Sequence, residues 1–151
     1  MRRVVIIGPG GSGKSTLAVK LGEITELPVV ELDKVFWRPG LVETRGMNGW
    51  QFNSDLVEKN EWILVGDLEP YDAVEVRLRA ADTVVILDFS LAQCAWRAAR
   101  RPRERLDFWL WLLQYRRQSR PFLIEAIAKH AAKASFHVLH NRQQSGDLLQ
   151  T

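Results

Sequence analysis

The octapeptide Gly8-Pro9-Gly10-Gly11-Ser12-Gly13-Lys14-Ser15 constrains this chain more than any other stretch. It fits the spacing G-x-x-x-x-G-K-[ST]. It directly follows the β-branched run Val4-Val5-Ile6-Ile7 and precedes apolar residues at helical spacing, Leu17, Leu21 and Ile24. Strand, glycine loop and helix in that order separate a phosphate-binding loop from a glycine-rich turn with an incidental lysine. Glycines let successive backbone N–H groups turn towards one anion, and the following helix adds the positive end of its dipole. Lys14 is therefore expected to bridge the β- and γ-phosphates of ATP, Ser15 to ligate Mg²⁺ and Thr16 to reach the α-phosphate. Gly8, Gly10, Gly11, Ser12 and Gly13 form the cradle.

An unbroken apolar strand suits a parallel sheet covered on both faces, and the rest of the chain keeps the alternation this requires. Val29-Val30-Glu31-Leu32, Trp62-Ile63-Leu64-Val65, Thr83-Val84-Val85-Ile86-Leu87 and Phe136-His137-Val138-Leu139 read as four further strands. The first helix ends before Pro28. Asn48 with Gln51, Asp72 with Glu75, and Ser90 with Gln93 each carry a capping-box signature for another helix, the first running to about Lys59. Asp107 is expected to cap a helix through Trp109 and Trp111 that Pro121 breaks, and a further helix runs from Phe122 to about Ala132 before the last strand and a short tail helix. Arg38-Pro39-Gly40 and Gly46 mark an irregular segment. The expected fold is α/β: a single three-layer domain over 1–151, with a mostly parallel five-stranded sheet flanked by helices.

A chain of 151 residues, 46% of them hydrophobic, carries one core. Its lone cysteine, Cys94, forms no internal disulfide and no zinc cluster, which predicts a reducing, cytoplasmic compartment. Glycines from Gly8 onward cut the first apolar run below export length, and Asp107 interrupts the apolar stretch Leu106 to Leu113, so no membrane partner is expected. The net charge of +3 suits phosphate-bearing ligands without giving a strongly basic field.

Three segments outside the loop, Leu32-Asp33-Lys34-Val35-Phe36-Trp37-Arg38-Pro39-Gly40, Leu78-Arg79-Ala80-Ala81-Asp82-Thr83-Val84 and Tyr115-Arg116-Arg117-Gln118-Ser119-Arg120-Pro121, resemble one family. These are the adenylate-kinase-related P-loop proteins called DNA topology modulation proteins. The resemblance implies an adenylate-kinase-like fold with an acceptor-binding segment over 33–60, a shortened Arg-rich lid over 97–107, and adenine contacts at Asn141 and Arg142. Such relatives carry Asp-Gly-Asn-Tyr after the third strand, where this chain has Val65-Gly66-Asp67-Leu68, so Asp67 is a displaced candidate for the Mg²⁺ shell.

Asp33 closes the second strand at the rim where open α/β sheets bind ligands, and it is the candidate base or orienter of the acceptor. Asp88 holds a similar place after the fourth strand and is the third candidate near Mg²⁺, with entry to the helix beside Ser90 as its alternative role. Arg97 and Arg101, within the cluster that includes Arg100, Arg103 and Arg105, are candidate phosphate clamps, and so is Arg116 near Arg117 and Arg120. Trp109 and Trp111 read as core or a dimer face, and Trp37 is a lesser candidate for stacking on an acceptor base or ring. Phosphoryl transfer from ATP to a small-molecule acceptor is the leading function. A nucleotide-dependent nucleic-acid-binding protein ranks below it on net charge, and a nucleotide binder with little catalysis is the third reading.

Overall fold

A computed structural model describes residues 1–38, 42–43, 49–66, 73–100, 106–115 and 117–150. The strands are β1 (Arg3–Ile7), β2 (Val29–Glu31), β3 (Trp37–Arg38), β4 (Val42–Glu43), β5 (Trp62–Val65), β6 (Thr83–Leu87) and β7 (Ser135–Leu139). The helices are α1 (Lys14–Thr25), α2 (Leu32–Phe36), α3 (Gly49–Val57), α4 (Val74–Ala80), α5 (Leu91–Ala99), α6 (Leu106–Tyr115), α7 (Ser119–His130) and α8 (Arg142–Gln150). Five strands form one sheet in the order β2-β5-β1-β6-β7, and every pairing in it is parallel. The antiparallel pair β3–β4 stands apart, within the segment expected to be irregular.

Burial follows from that order. β5 and β6 are buried throughout and β1 from Val4 onward, because helices cover both faces of the sheet interior. The edge strands β2 and β7 are only partly covered. Alternation within β1 divides the core in two. Val4 and Ile6 pack with Leu17, Leu21, Cys94 and Leu112, and Val5 and Ile7 with Val74, Leu78, Leu123 and Ile127. The result is three layers, with α1, α5 and α6 on one face and α4 and α7 on the other. Fully burying each such aliphatic side chain contributes roughly 1.5–3 kcal/mol.

Several boundaries differ from the expected ones. Pro121 does not end a helix: α6 stops at Tyr115, and Pro121 sits in the first turn of α7, where a missing N–H leaves no helical bond unmade. Asp107 lies inside the first turn of α6 rather than before it. Ala73 holds the N-cap of α4 without a side-chain bond, so Glu75 falls one place short of the third helical position that a box with Asp72 requires. The box at Ser90 does form, its Oγ accepting from the Gln93 N–H at 3.3 Å. Trp109 packs against the core while Leu110 and Leu113 are exposed. Asn48, Asp72, and the side chains of Trp37 and Trp111 lie outside the described residues.

Candidate phosphate-binding and acceptor site

The loop leaves the sheet from its central strand. Gly11 takes φ 75°, and a Cβ there would run into the Cys94 carbonyl, so glycine alone lets the loop lie directly on α5. The Ser12 N–H donates to the Pro9 carbonyl at 3.2 Å, while the Ser12 hydroxyl is buried without a hydrogen-bond partner. Lys14 Nζ donates to the Gly8 and Pro9 carbonyls at 2.5 and 3.0 Å, which holds the ammonium over the loop. α1 then begins with no side-chain cap and no acidic residue in its first turn. An uncapped helix start, a lysine and an unsatisfied hydroxyl are the features that an anion site uses, and together they fit the phosphates of a nucleotide.

On the β2 side of the loop, the Ser15 hydroxyl donates to Glu31 Oε2 at 2.8 Å, and Lys34 Nζ meets Glu31 Oε1 at 2.7 Å. Glu31 ends β2 beside Val65 of β5. Asp33 follows in the first turn of α2, exposed, and a Cβ placed on Gly66 would stand 3.7 Å from its Oδ2. Sequence reasoning missed Glu31. Its signal was a lone charge inside Val29-Val30-Glu31-Leu32, a run whose other residues are apolar. A serine hydroxyl and one carboxylate suit Mg²⁺, which keeps waters and takes phosphate oxygens rather than a full protein cage.

A cleft of about 440 Å³ opens on the other flank, between the loop, α1, Phe89 and α8, within the range of small-ligand sites. Arg97 projects into it. Its Nη1 donates to the Ser12 carbonyl at 2.9 Å, and its guanidinium lies 5.0 Å from the centroid of the Phe89 ring. Thr16 and Arg142 line the same cleft. Asn141 and Arg142 line an adjoining one of about 450 Å³ with Trp96. Asn141 also caps α8, its Oδ1 accepting from the Gln144 N–H at 2.9 Å, while Gln144 Oε1 accepts from the His140 N–H at 2.6 Å.

Asp88, after β6, pairs with α7. It accepts from Arg120 Nε at 3.2 Å and Nη2 at 2.8 Å, and His140 Nδ1 lies 3.8 Å from its Oδ2. This hydrogen-bonded pairing, ahead of an opposing effect of burial, raises the pKa of Arg120 above its ordinary value. The structure thus ties Asp88 to α7, while Ser15 pairs with Glu31. Asp67, Arg101 and Arg116 lie outside the described residues, as do Arg103 and Arg105.

No protein-family profile matches the chain, and no curated protein sequence does. Solved structures do. A shikimate kinase from Acinetobacter baumannii in complex with shikimate is similar over 99% of this chain and 89% of its own, with a TM-score of 0.69 at 19% identity. An unliganded sugar kinase from Janibacter sp. HTCC2649 covers 99% and 91% with a TM-score of 0.58 at 22% identity. A gluconokinase from Sinorhizobium meliloti 1021 covers 99% and 87% with a TM-score of 0.58 at 19% identity. The chain shares the fold of these kinases, and the likeness to DNA topology modulation proteins rests on the sequence segments alone.

Proposed function

We propose that this chain is a kinase that transfers the γ-phosphate of ATP to a hydroxyl of a small acceptor. One observation carries the reading: two carboxylates, Glu31 at the end of β2 and Asp33 in the first turn of α2, follow the sheet's second strand, and Glu31 is already hydrogen-bonded to Ser15 of the phosphate loop. A phosphate cradle alone would serve any nucleotide binder. An exposed carboxylate just beyond the strand that carries Glu31 is what an attacking hydroxyl needs.

In this reading Lys14 and the loop N–H groups hold the β- and γ-phosphates, and Arg97 adds positive charge where charge spreads during transfer. Ser15 and Glu31 would hold Mg²⁺, which neutralises phosphate oxygens when bound. Asp33 orients the acceptor hydroxyl and takes its proton. Fold likeness to shikimate and sugar kinases supports a small, polyhydroxylated acceptor rather than a macromolecule.

Calorimetric titration with ATP and ADP, with and without Mg²⁺, followed by coupled ADP release against shikimate, gluconate, nucleosides and nucleoside monophosphates, tests this. Acceptor-stimulated ADP release that disappears in Asp33→Asn supports it. ATP binding with no stimulation by any acceptor removes it in favour of a nucleotide binder without transfer.

A further inference from the structure

Arg77 lies apart from the nucleotide cleft, yet it is a completely buried guanidinium on α4. A side chain that served only to pack α4 against the sheet would be apolar, because burying a cation costs several kcal/mol unless its donors are used. One donor is directed at the backbone, Nη1 donating to the Gly66 carbonyl at 2.8 Å. Gly66 is the first residue beyond β5 on the ligand rim, at φ 99°. Its N–H donates to the Ile6 carbonyl at 3.0 Å, two residues before the phosphate loop begins. Its remaining side faces Asp33, whose Oδ2 a Cβ would meet at ordinary contact distance, 3.7 Å.

One residue is therefore anchored through its N–H to the strand that carries the loop and through its carbonyl to a buried arginine, and its open side is turned towards the proposed base. We propose that Arg77 is a positioning residue for phosphoryl transfer. It fixes Gly66 as the wall against which Asp33 and the acceptor hydroxyl align, and it touches neither ATP nor the acceptor. The inference rests on the kinase reading for its consequence, though the anchoring of Gly66 is measurable without it. The planar guanidinium points its Nη1 donor in a fixed direction, which a lysine ammonium on freely rotating bonds does not reproduce.

The test compares wild type with Arg77→Lys, Arg77→Met and Gly66→Ala, the last disturbing the same residue with Arg77 intact. Amide exchange of Gly66 is read by NMR, ATP affinity by calorimetry, and kinetics with whichever acceptor of the panel is phosphorylated. In folded Arg77→Lys, Gly66 is expected to exchange about tenfold faster. ATP affinity stays within about twofold, and the acceptor KM rises while the ATP KM does not. Gly66→Ala reproduces the acceptor defect. Unchanged Gly66 exchange in folded Arg77→Lys overturns the inference, as does loss of ATP affinity in step with acceptor KM. A wild-type protein that phosphorylates nothing in the panel overturns the positioning role together with the kinase reading, while Gly66 exchange still decides whether Arg77 anchors Gly66.

Discussion

Glu31 reaches Ser15 and Lys34 through different oxygens of one carboxylate, so its charge is shared between a hydroxyl and an ammonium. Replacing it by glutamine keeps the shape and removes the charge that favours a cation beside Ser15. Glu31→Gln is expected to leave metal-free ATP binding intact while the enhancement by Mg²⁺ falls about tenfold, the usual effect of losing a group that orients a metal ligand. Titration with and without the ion reads both. Asp82 offers a separate test, remote from the chemistry. Burial alone would push its carboxyl up, but the Thr83 hydroxyl and the backbone N–H groups of Arg3 and Arg2 together hold it below the ordinary value, at 2.7, 2.9 and 2.8 Å. A depressed carboxylate stabilises the fold fully above its unfolded pKa, near 4, and that contribution is lost as pH falls through the folded value. Asp82→Ala is thus expected to cost about 1 kcal/mol at neutral pH. Its melting temperature should converge on that of wild type as pH falls from 5 towards 3.

Helix ends carry the contrast between what sequence pattern reveals and what it hides. Strands β1, β5 and β6 were legible because unbroken apolar runs such as Val4-Val5-Ile6-Ile7 have one comfortable place, the doubly covered sheet interior. Ser90 was legible too, since a box is local chemistry. Pro121 was misread because a proline that stops one helix and a proline that starts the next look alike until the neighbouring turn is known. The β3–β4 pair and α2 were missed because short elements of two to five residues leave too little periodicity to detect. On the site, the loop spacing identified the phosphate cradle. The Glu31 contact to Ser15 depends on β2 lying two strands from β1, which no local pattern reveals. Ser90→Ala should cost about 1 kcal/mol, roughly 2–4 °C in melting temperature, whereas Pro121→Ala should stay within about 0.5 kcal/mol. A Pro121→Ala loss equal to that of Ser90→Ala would contradict the first-turn assignment.

Across the whole molecule, both core layers meet at β1, so a ligand at its C-terminal end draws on the entire sheet. ATP with Mg²⁺ at about 100 times its dissociation constant should stabilise the protein by roughly 2.7 kcal/mol, seen as a rise of several degrees in thermal unfolding. Lys14→Ala should abolish most of that rise with little change in the melting temperature of the free protein, because the Lys14 ammonium bonds carbonyls of the loop itself. Among the described residues no helix is long and apolar enough to cross a membrane. The position of β1 also governs the order in which the protein can assemble. The first strand to be synthesised sits in the middle of the sheet, and its two neighbours, β5 and β6, begin at Trp62 and Thr83. The loop cannot be braced on both sides until more than half of the chain exists, and closure over such separations is slow. On the proposed function, nucleotide would therefore find no complete site until β6 has been made. Its expected effect is then on the folded protein, slowing unfolding rather than guiding formation.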